Sequence, residues 1–262
     1  MKTLINKPLS IFAFFAFAVP FFVYVRTLCP TIYVGDSGEL VTSSYVLGIP
    51  HPPGYPLFCL LGKVFTVILP FGEIAFRVNL LSAVLGALAI MVVFLAIYRL
   101  GTILFSSSNI SIMLSSLCAA FFLAFSKTFW SQALMAKGCL YILNMFLFSL
   151  IIFQLVSALA KPESGARRLF ASAFLYGLVA ANHHTGFACF PALLLFIFIM
   201  PRKIWNNFRF WAALSALVLL GLAVYLYLPL RAASEPALNW SNPQGLKETL
   251  DHVTRKQYGA LV

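Results

Sequence analysis

Few side chains in this sequence can do acid–base chemistry, and they are grouped. Of 262 residues only seven are Asp or Glu and four are His. Residues 34–40 read Val-Gly-Asp-Ser-Gly-Glu-Leu, and residues 48–57 read Gly-Ile-Pro-His-Pro-Pro-Gly-Tyr-Pro-Leu. Gly35 and Gly38 free the backbone on either side of Asp36. Pro50, Pro52, Pro53 and Pro56 stiffen the stretch that carries His51. Asp36, Glu39 and His51 on a stiff loop have the character of a preorganised site. The competing reading is local: Asp36 or Ser37 caps a helix that starts near Glu39. His183 and His184 are adjacent, and neighbours on a helix point about 100° apart, so both holding one ion requires an irregular backbone. Zinc also needs more ligands than these two. We therefore expect no metal, and a hydrogen-bonding role for one of the pair.

The elements that must position these groups belong to a membrane protein. Hydrophobic residues make up 61% of the chain and charged ones 10%, against roughly 25% charged in a soluble domain. That composition excludes a soluble globular domain, a disordered chain and a disulfide-stapled secreted module. The net charge is +11, but the bases are spread between apolar runs with no basic, aromatic-interleaved stripe. They point to membrane topology and contact with anionic lipid, and to no nucleic acid. Seven apolar runs are spanning candidates: 9–28, 78–98, 110–126, 139–159, 167–181, 185–200 and 210–230. A crossing takes about 20 residues, which the third, fifth and sixth fall short of. The first run reads as an uncleaved helix. The fold class is thus an all-α polytopic bundle of about seven spans, one membrane-embedded domain over 1–262.

Residues 55–69 are too short to cross alone. Cys59, Gly62, Lys63 and Thr66 recur at helical spacing, which predicts a helix lying in the membrane interface with its apolar side down. With the N-terminus inside, the short inner loops carry Lys2, Arg202, Lys203 and other bases but only one acid, Glu163. The other six acids and all four histidines then fall outside, with the long connections 29–77 and 231–262. Long polar loops on a tightly looped helical protein carry function. No carboxylate lies mid-span, which argues against an ion-coupled transporter. Cys29 and Cys59 share the outer side, where a bridge is one option; Cys118, Cys139 and Cys189 read as packing residues. Within 231–262 a helix is predicted over 244–257, and the abrupt end after it suggests a module of something longer.

Seven segments in one order carry a resemblance. They are GDSGEL…HPPGYPLF, Phe76-Arg77-Val78-Asn79-Leu80-Leu81-Ser82-Ala83, Phe129-Trp130-Ser131-Gln132-Ala133, Asn182-His183-His184-Thr185, Leu228-Pro229-Leu230-Arg231-Ala232, Leu238-Asn239-Trp240-Ser241-Asn242-Pro243 and His252-Val253-Thr254-Arg255-Lys256-Gln257-Tyr258. Together the chain resembles the protein O-mannosyltransferase-like membrane family, transmembrane protein 260-like, of the GT-C glycosyltransferase superfamily. The resemblance implies a helical bundle with a large first outer loop holding an interfacial helix. It implies a polyprenyl-phosphate sugar as donor substrate, with no cofactor, and an active face that is non-cytoplasmic. It places Asp36 and Glu39 at the reacting centre and His51-Pro52-Pro53 at an HPP segment. One position departs: Ala136-Lys137-Gly138 stands where the resemblance leads us to expect an acidic residue.

The chemistry required is consistent with this. A Ser or Thr hydroxyl needs a base, for which Asp36 is best placed, with Glu39 orienting acceptor or base. The phosphate ester needs cations more than an acid. Arg231 is the first choice, because its planar fork suits phosphate, followed by Arg77, Lys127, Lys137 and Arg255. His51, His183 and His184 are candidates for substrate binding, and Trp240 and Tyr258 for stacking on sugar or lipid. Expected partners are membrane lipid, the polyprenyl-phosphate sugar and an acceptor protein or glycan. The membrane is a bacterial inner membrane or endoplasmic reticulum. A flippase for a lipid-linked sugar and a non-catalytic envelope scaffold are the alternatives.

Overall fold

Helix α4, Ile74–Leu104, is the post around which the bundle is built. It runs 31 residues with no charged residue between Arg77 and Arg99, and two thirds of its apolar window (67%) is buried. Such all-round apolar character suits a helix covered on every side. The computed structural model describes residues 7–107, 109–161, 165–199 and 207–259. Around α4 stand α1 (Lys7–Thr27), α5 (Ile110–Ala124) and α7 (Ala136–Ala160), with the short α6 (Lys127–Gln132) joining the last two. Beyond α7 the layer continues with α8 (Gly165–Asn182), then α10 (Phe208–Leu222). Gly177 and Gly221 let α8 and α10 meet backbone to backbone: a Cβ on Gly177 would strike the Val218 carbonyl. Helix α9, Phe190–Ile199, follows a 3₁₀ turn over His184–Cys189.

The described residues form helices joined by loops, as expected, and the one extended pairing among them is an isolated bridge between Ile49 and Asn239. Four helical segments are long and apolar enough to cross a membrane: α1, α4, α7 and the run Phe208–Ala232. The last combines α10, a 3₁₀ turn and α11 (Tyr227–Ala232). The third, fifth and sixth expected spans are helical too, but α5 and α9 are shorter, and α8 carries Arg167 and Arg168 in its first turn. Lys2, Glu163, Arg202, Lys203 and the end of the chain after Gly259 lie outside the described residues.

Between α1 and α4 the chain forms α2 (Ser37–Val46) and α3 (Pro56–Ile68). Pro56 opens α3 at the position where a missing N–H costs nothing. Its small, polar strip faces inward: Cys59, Gly62 and Thr66 are buried, and Gly62 packs on Ser44. Leu60, Val64, Val67 and Ile68 are exposed, an apolar outer face of the kind that rests on a membrane interface. Cys29 and Cys59 are not bridged; Cys29 Sγ faces the Thr31 carbonyl and Cys59 lies beside Ser43.

One buried amide joins these parts. Asn79 in α4, 1% exposed, donates to the carbonyls of Cys29 (2.8 Å) and Thr31 (2.9 Å) and accepts from the Ala136 N–H (2.8 Å). It therefore ties the loop after α1 to the first turn of α7. The predicted helix over 244–257 is shorter in the structure. Helix α12 is Leu246–Val253, because Arg255 adopts a left-handed conformation (φ 59°) that breaks the run before a 3₁₀ turn at Lys256–Tyr258. That break turns Arg255 toward the bundle.

Candidate active site

The chemistry-bearing residues collect at one end of the bundle. The C-terminal end of α1, the N-terminal ends of α4 and α7, and the C-terminal end of α8 meet there. Trp130 Nε1 reaches Thr27 (3.0 Å), and Asn182 Nδ2 reaches the Leu140 carbonyl (2.8 Å).

Asp36 occupies the N-cap position of α2, yet its carboxylate makes no capping bond. It is paired instead with Lys137 on α7, Nζ to Oδ2 at 2.9 Å. Gly35 makes the pair possible: it has φ +74°, and a Cβ there would sit 3.1 Å from Lys137 Nζ. The hydrogen bond from Lys137 chiefly holds Asp36 below the usual carboxylate range, partly offset by burial and helped by His51. Both side chains remain about two-fifths exposed (39% and 45%), so the pair is accessible to a competing anion.

Glu39 uses both oxygens on His51. Oε1 accepts the His51 backbone N–H (2.6 Å) and Oε2 faces Nδ1 (2.8 Å). The other ring nitrogen of His51 meets the Tyr55 hydroxyl at 3.3 Å, and the ring lies edge-on to Trp240. Tyr55 in turn stacks on His183 and lies within electrostatic reach of Asp36, Glu39 and Arg255. Burial raises its phenol pKa, so it stays a donor.

His183 and His184 stack with ring centroids 4.2 Å apart. The Thr185 N–H donates to His183 Nδ1 (3.2 Å), and Arg255 Nη1 faces His184 Nδ1 at 3.4 Å. Both acceptors being Nδ1, each ring carries its proton on Nε2. Burial pushes the His183 pKa down to about 4, with His184, Arg255 and His51 adding to it. Burial, then Arg255, also lowers His184. Two neutral N–H donors therefore stand beside one guanidinium. Behind them Asn144 donates to the His183 carbonyl and the Thr185 hydroxyl, and accepts from Asn182. Arg255 also lies over the ring of Tyr258, 5.2 Å from its centroid.

The remaining candidates are placed elsewhere. Arg231 Nε donates to the Leu47 carbonyl (2.8 Å), with Nη2 3.4 Å from that of Val46. It closes the C-terminal end of α2, a favourable position for a cation. Arg77 likewise serves backbone: the carbonyls of Thr66, Phe71 and Gly72 surround its guanidinium. His252, 2% exposed, sits against the Pro50 carbonyl (3.2 Å), its pKa pushed down to about 4 by burial. Among the described residues no three His, Cys, Asp or Glu side chains gather as a metal site.

A groove of about 710 Å³ opens beside Lys137. Its walls include Val34, Leu123, Phe129, Ile142 and Met145, with Gly35 and Tyr141. Sequence alone gives no role to Tyr55 or Asn182, though both lie in the segments that carry the resemblance, and it passes over Tyr141 and Asn144. The Asn182-His183-His184 segment is the signal nearest Asn144, which accepts from Asn182.

Residues 36–206 match the family described as the protein O-mannosyl-transferase TMEM260 N-terminal domain. Over 245 residues the chain is 33% identical to protein O-mannosyl-transferase TMEM260 of Mus musculus, covering 90% of this chain and 33% of that protein. Over 258 residues it is 28% identical to protein O-mannosyl-transferase tmem260 of Dictyostelium discoideum, covering 91% and 30%. The chain thus spans about a third of the length of these relatives. No solved structure matches it.

Proposed function

The chain belongs to the family of the protein O-mannosyl-transferase TMEM260 N-terminal domain, and on that footing we propose that it is a membrane glycosyltransferase of GT-C type. It moves a sugar, mannose first, from a polyprenyl-phosphate donor to a Ser or Thr hydroxyl of an exported protein. The reaction runs on the non-cytoplasmic face of a bacterial inner membrane or endoplasmic reticulum. The observation that carries this reading is the meeting of Asp36, the Glu39–His51 pair, the two histidines and Arg255 at one end of an apolar bundle.

The step is a direct displacement. The acceptor oxygen bonds to the anomeric carbon, and the bond from that carbon to the phosphate oxygen breaks, its electron pair leaving with the phosphate. The hydroxyl proton passes to Asp36. Attack from the side opposite the phosphate inverts the anomeric centre. Glu39 fixes His51, which with Tyr55 and Trp240 forms a wall for the sugar. Arg255 and the Nε2–H groups of His183 and His184 hold phosphate and sugar oxygens, and Tyr258 steadies Arg255. Arg231 and Arg77 act at one remove, by fixing the loop backbone rather than by touching phosphate.

The test is transfer of labelled mannose from polyprenyl-phosphate-mannose to a Ser-containing protein, using wild type and Asp36→Asn. Transfer by wild type alone is expected. Near-normal turnover by a folded Asp36→Asn protein refutes Asp36 as the base. Lipid scrambling in vesicles with no bond formed replaces the enzyme by a flippase.

A further inference from the structure

A base clasped by a lysine is a poor base. Asp36 has its best acceptor oxygen on Lys137 Nζ, 2.9 Å away, and the contact keeps its carboxylate ionised but occupied. Catalysis at Asp36 requires that Lys137 find a better partner when, and only when, donor is present. The structure supplies the setting for such an exchange. Lys137 lines the apolar groove between the Tyr33–Gly35 loop and α5 to α7. Its ammonium lies over Gly35, where no side chain obstructs its movement. Its partner is half exposed, and an exposed ion pair contributes little, so a phosphate can displace it.

We propose that Lys137 is an exchangeable cation. It holds Asp36 in the unliganded chain and transfers to the phosphate of a polyprenyl-phosphate sugar whose lipid lies in this groove. This deepens the glycosyltransferase reading and rests on it for the donor class. The charges make the exchange directional. The donor is a phosphodiester with one negative charge, whereas the product monoester carries close to two near neutral pH. As the glycosidic bond breaks, the proton lands on Asp36 and cancels its charge, while the phosphate gains one. Both changes move Lys137 from Asp36 toward phosphate, so its stabilisation grows along the reaction. When Asp36 later loses the proton to water it competes for Lys137 again, which aids product release. A lysine suits this better than an arginine: its ammonium is a compact point charge on a flexible stem.

The exchange makes opposite demands of the two partners, which a structural salt bridge does not. The experiment measures binding of polyprenyl phosphate and of the uncharged polyprenol to the full chain in nanodiscs. It compares wild type, Lys137→Met, Lys137→Arg, Asp36→Asn and the double variant Asp36→Asn with Lys137→Met. Wild type is expected to prefer the phosphate. Lys137→Met weakens phosphate binding about tenfold and leaves polyprenol unchanged, and Lys137→Arg restores part of the loss. Asp36→Asn tightens phosphate binding two- to fivefold by releasing Lys137, and the double variant loses that gain. Unchanged phosphate preference in Lys137→Met, or no tightening in Asp36→Asn, overturns the proposal, as does a wild type that binds phosphate no better than polyprenol. Misfolding of Lys137→Met would weaken polyprenol as well, and Asp36→Asn then decides. Because no transfer is measured, the two readings fail separately. Lys137-dependent binding without mannose transfer sinks only the enzyme. Transfer with Lys137-independent binding sinks only the exchange.

Discussion

Replacing Asn79 by Ala should substantially destabilise the protein. The side chain is 1% exposed and makes three hydrogen bonds, all to backbone, at 2.8, 2.9 and 2.8 Å. Its removal strands the carbonyls of Cys29 and Thr31 and the N–H of Ala136. In membrane helices such bonds contribute roughly 0.6 kcal/mol on average and about 1.7 at most. Three of them give a loss of roughly 2–5 kcal/mol. The consequence is also functional, because Ala136 is the first residue of α7 and precedes Lys137. Loosening that turn frees Lys137 from its register with Asp36. Thermal unfolding in detergent, followed by intrinsic fluorescence, measures the first effect, and mannose transfer the second. Asn79→Asp should be worse than Asn79→Ala, since it sets a carboxylate against two carbonyl oxygens. An Asn79→Ala protein with unchanged melting refutes the reasoning, and an Asp variant more stable than the Ala variant refutes the donor assignment.

Three further outcomes are expected. Arg231→Ala should lower stability by about 1–2 kcal/mol, through lost charge-assisted bonds to carbonyls, while leaving polyprenyl phosphate binding unchanged; a tenfold loss of binding would return Arg231 to the phosphate. His183 and His252 have pKa values of about 4 in the folded chain against an ordinary 6.5. Unfolded protein therefore takes up protons that folded protein refuses as pH drops from 6.5 toward 4. Melting temperature should be flat above pH 6.5 and fall below it, and His252→Gln should reduce that fall; a flat profile down to pH 4.5 contradicts the buried, neutral state. Gly35→Ala should separate Lys137 from Asp36 and strain a left-handed turn, seen as a raised acidic limb of the pH–rate profile. No change in that limb would deny Gly35 the role of making room.

Much of the fold was legible because period and length are properties of sequence. The apolar runs gave the helices, and the grouping of acids and histidines gave the end at which they meet. Partners were not legible. Arg231 and Arg77 looked available for phosphate, yet each lies on backbone carbonyls, and every residue has a carbonyl, so no pattern announces which one is used. Lys137 stood out as a departure from an expected acid and as a secondary candidate for phosphate, but its pairing with Asp36 depends on Gly35 across about a hundred residues. The early end of α12 was hidden for a related reason. Glycine usually marks a left-handed stop, whereas here Arg255 occupies that conformation.

The segment from Leu47 to Pro50, which precedes His51, bonds locally to Ser43 but is otherwise anchored by residues made much later. Tyr227 holds the Gly48 carbonyl across 179 positions, Arg231 holds Leu47 across 184, and His252 meets Pro50 across 202. Leu238 and Trp240 pair with Ile49. A ribosome adding 5–20 residues per second needs roughly 10–40 s to supply those partners. For that interval His51 has Glu39 and Tyr55 beside it, but the Leu47–Pro50 stretch that leads into it lacks these long-range anchors. The path of the chain into His51 is therefore set in one late step of synthesis, once Tyr227 to His252 have been made, and not by the helices that precede it.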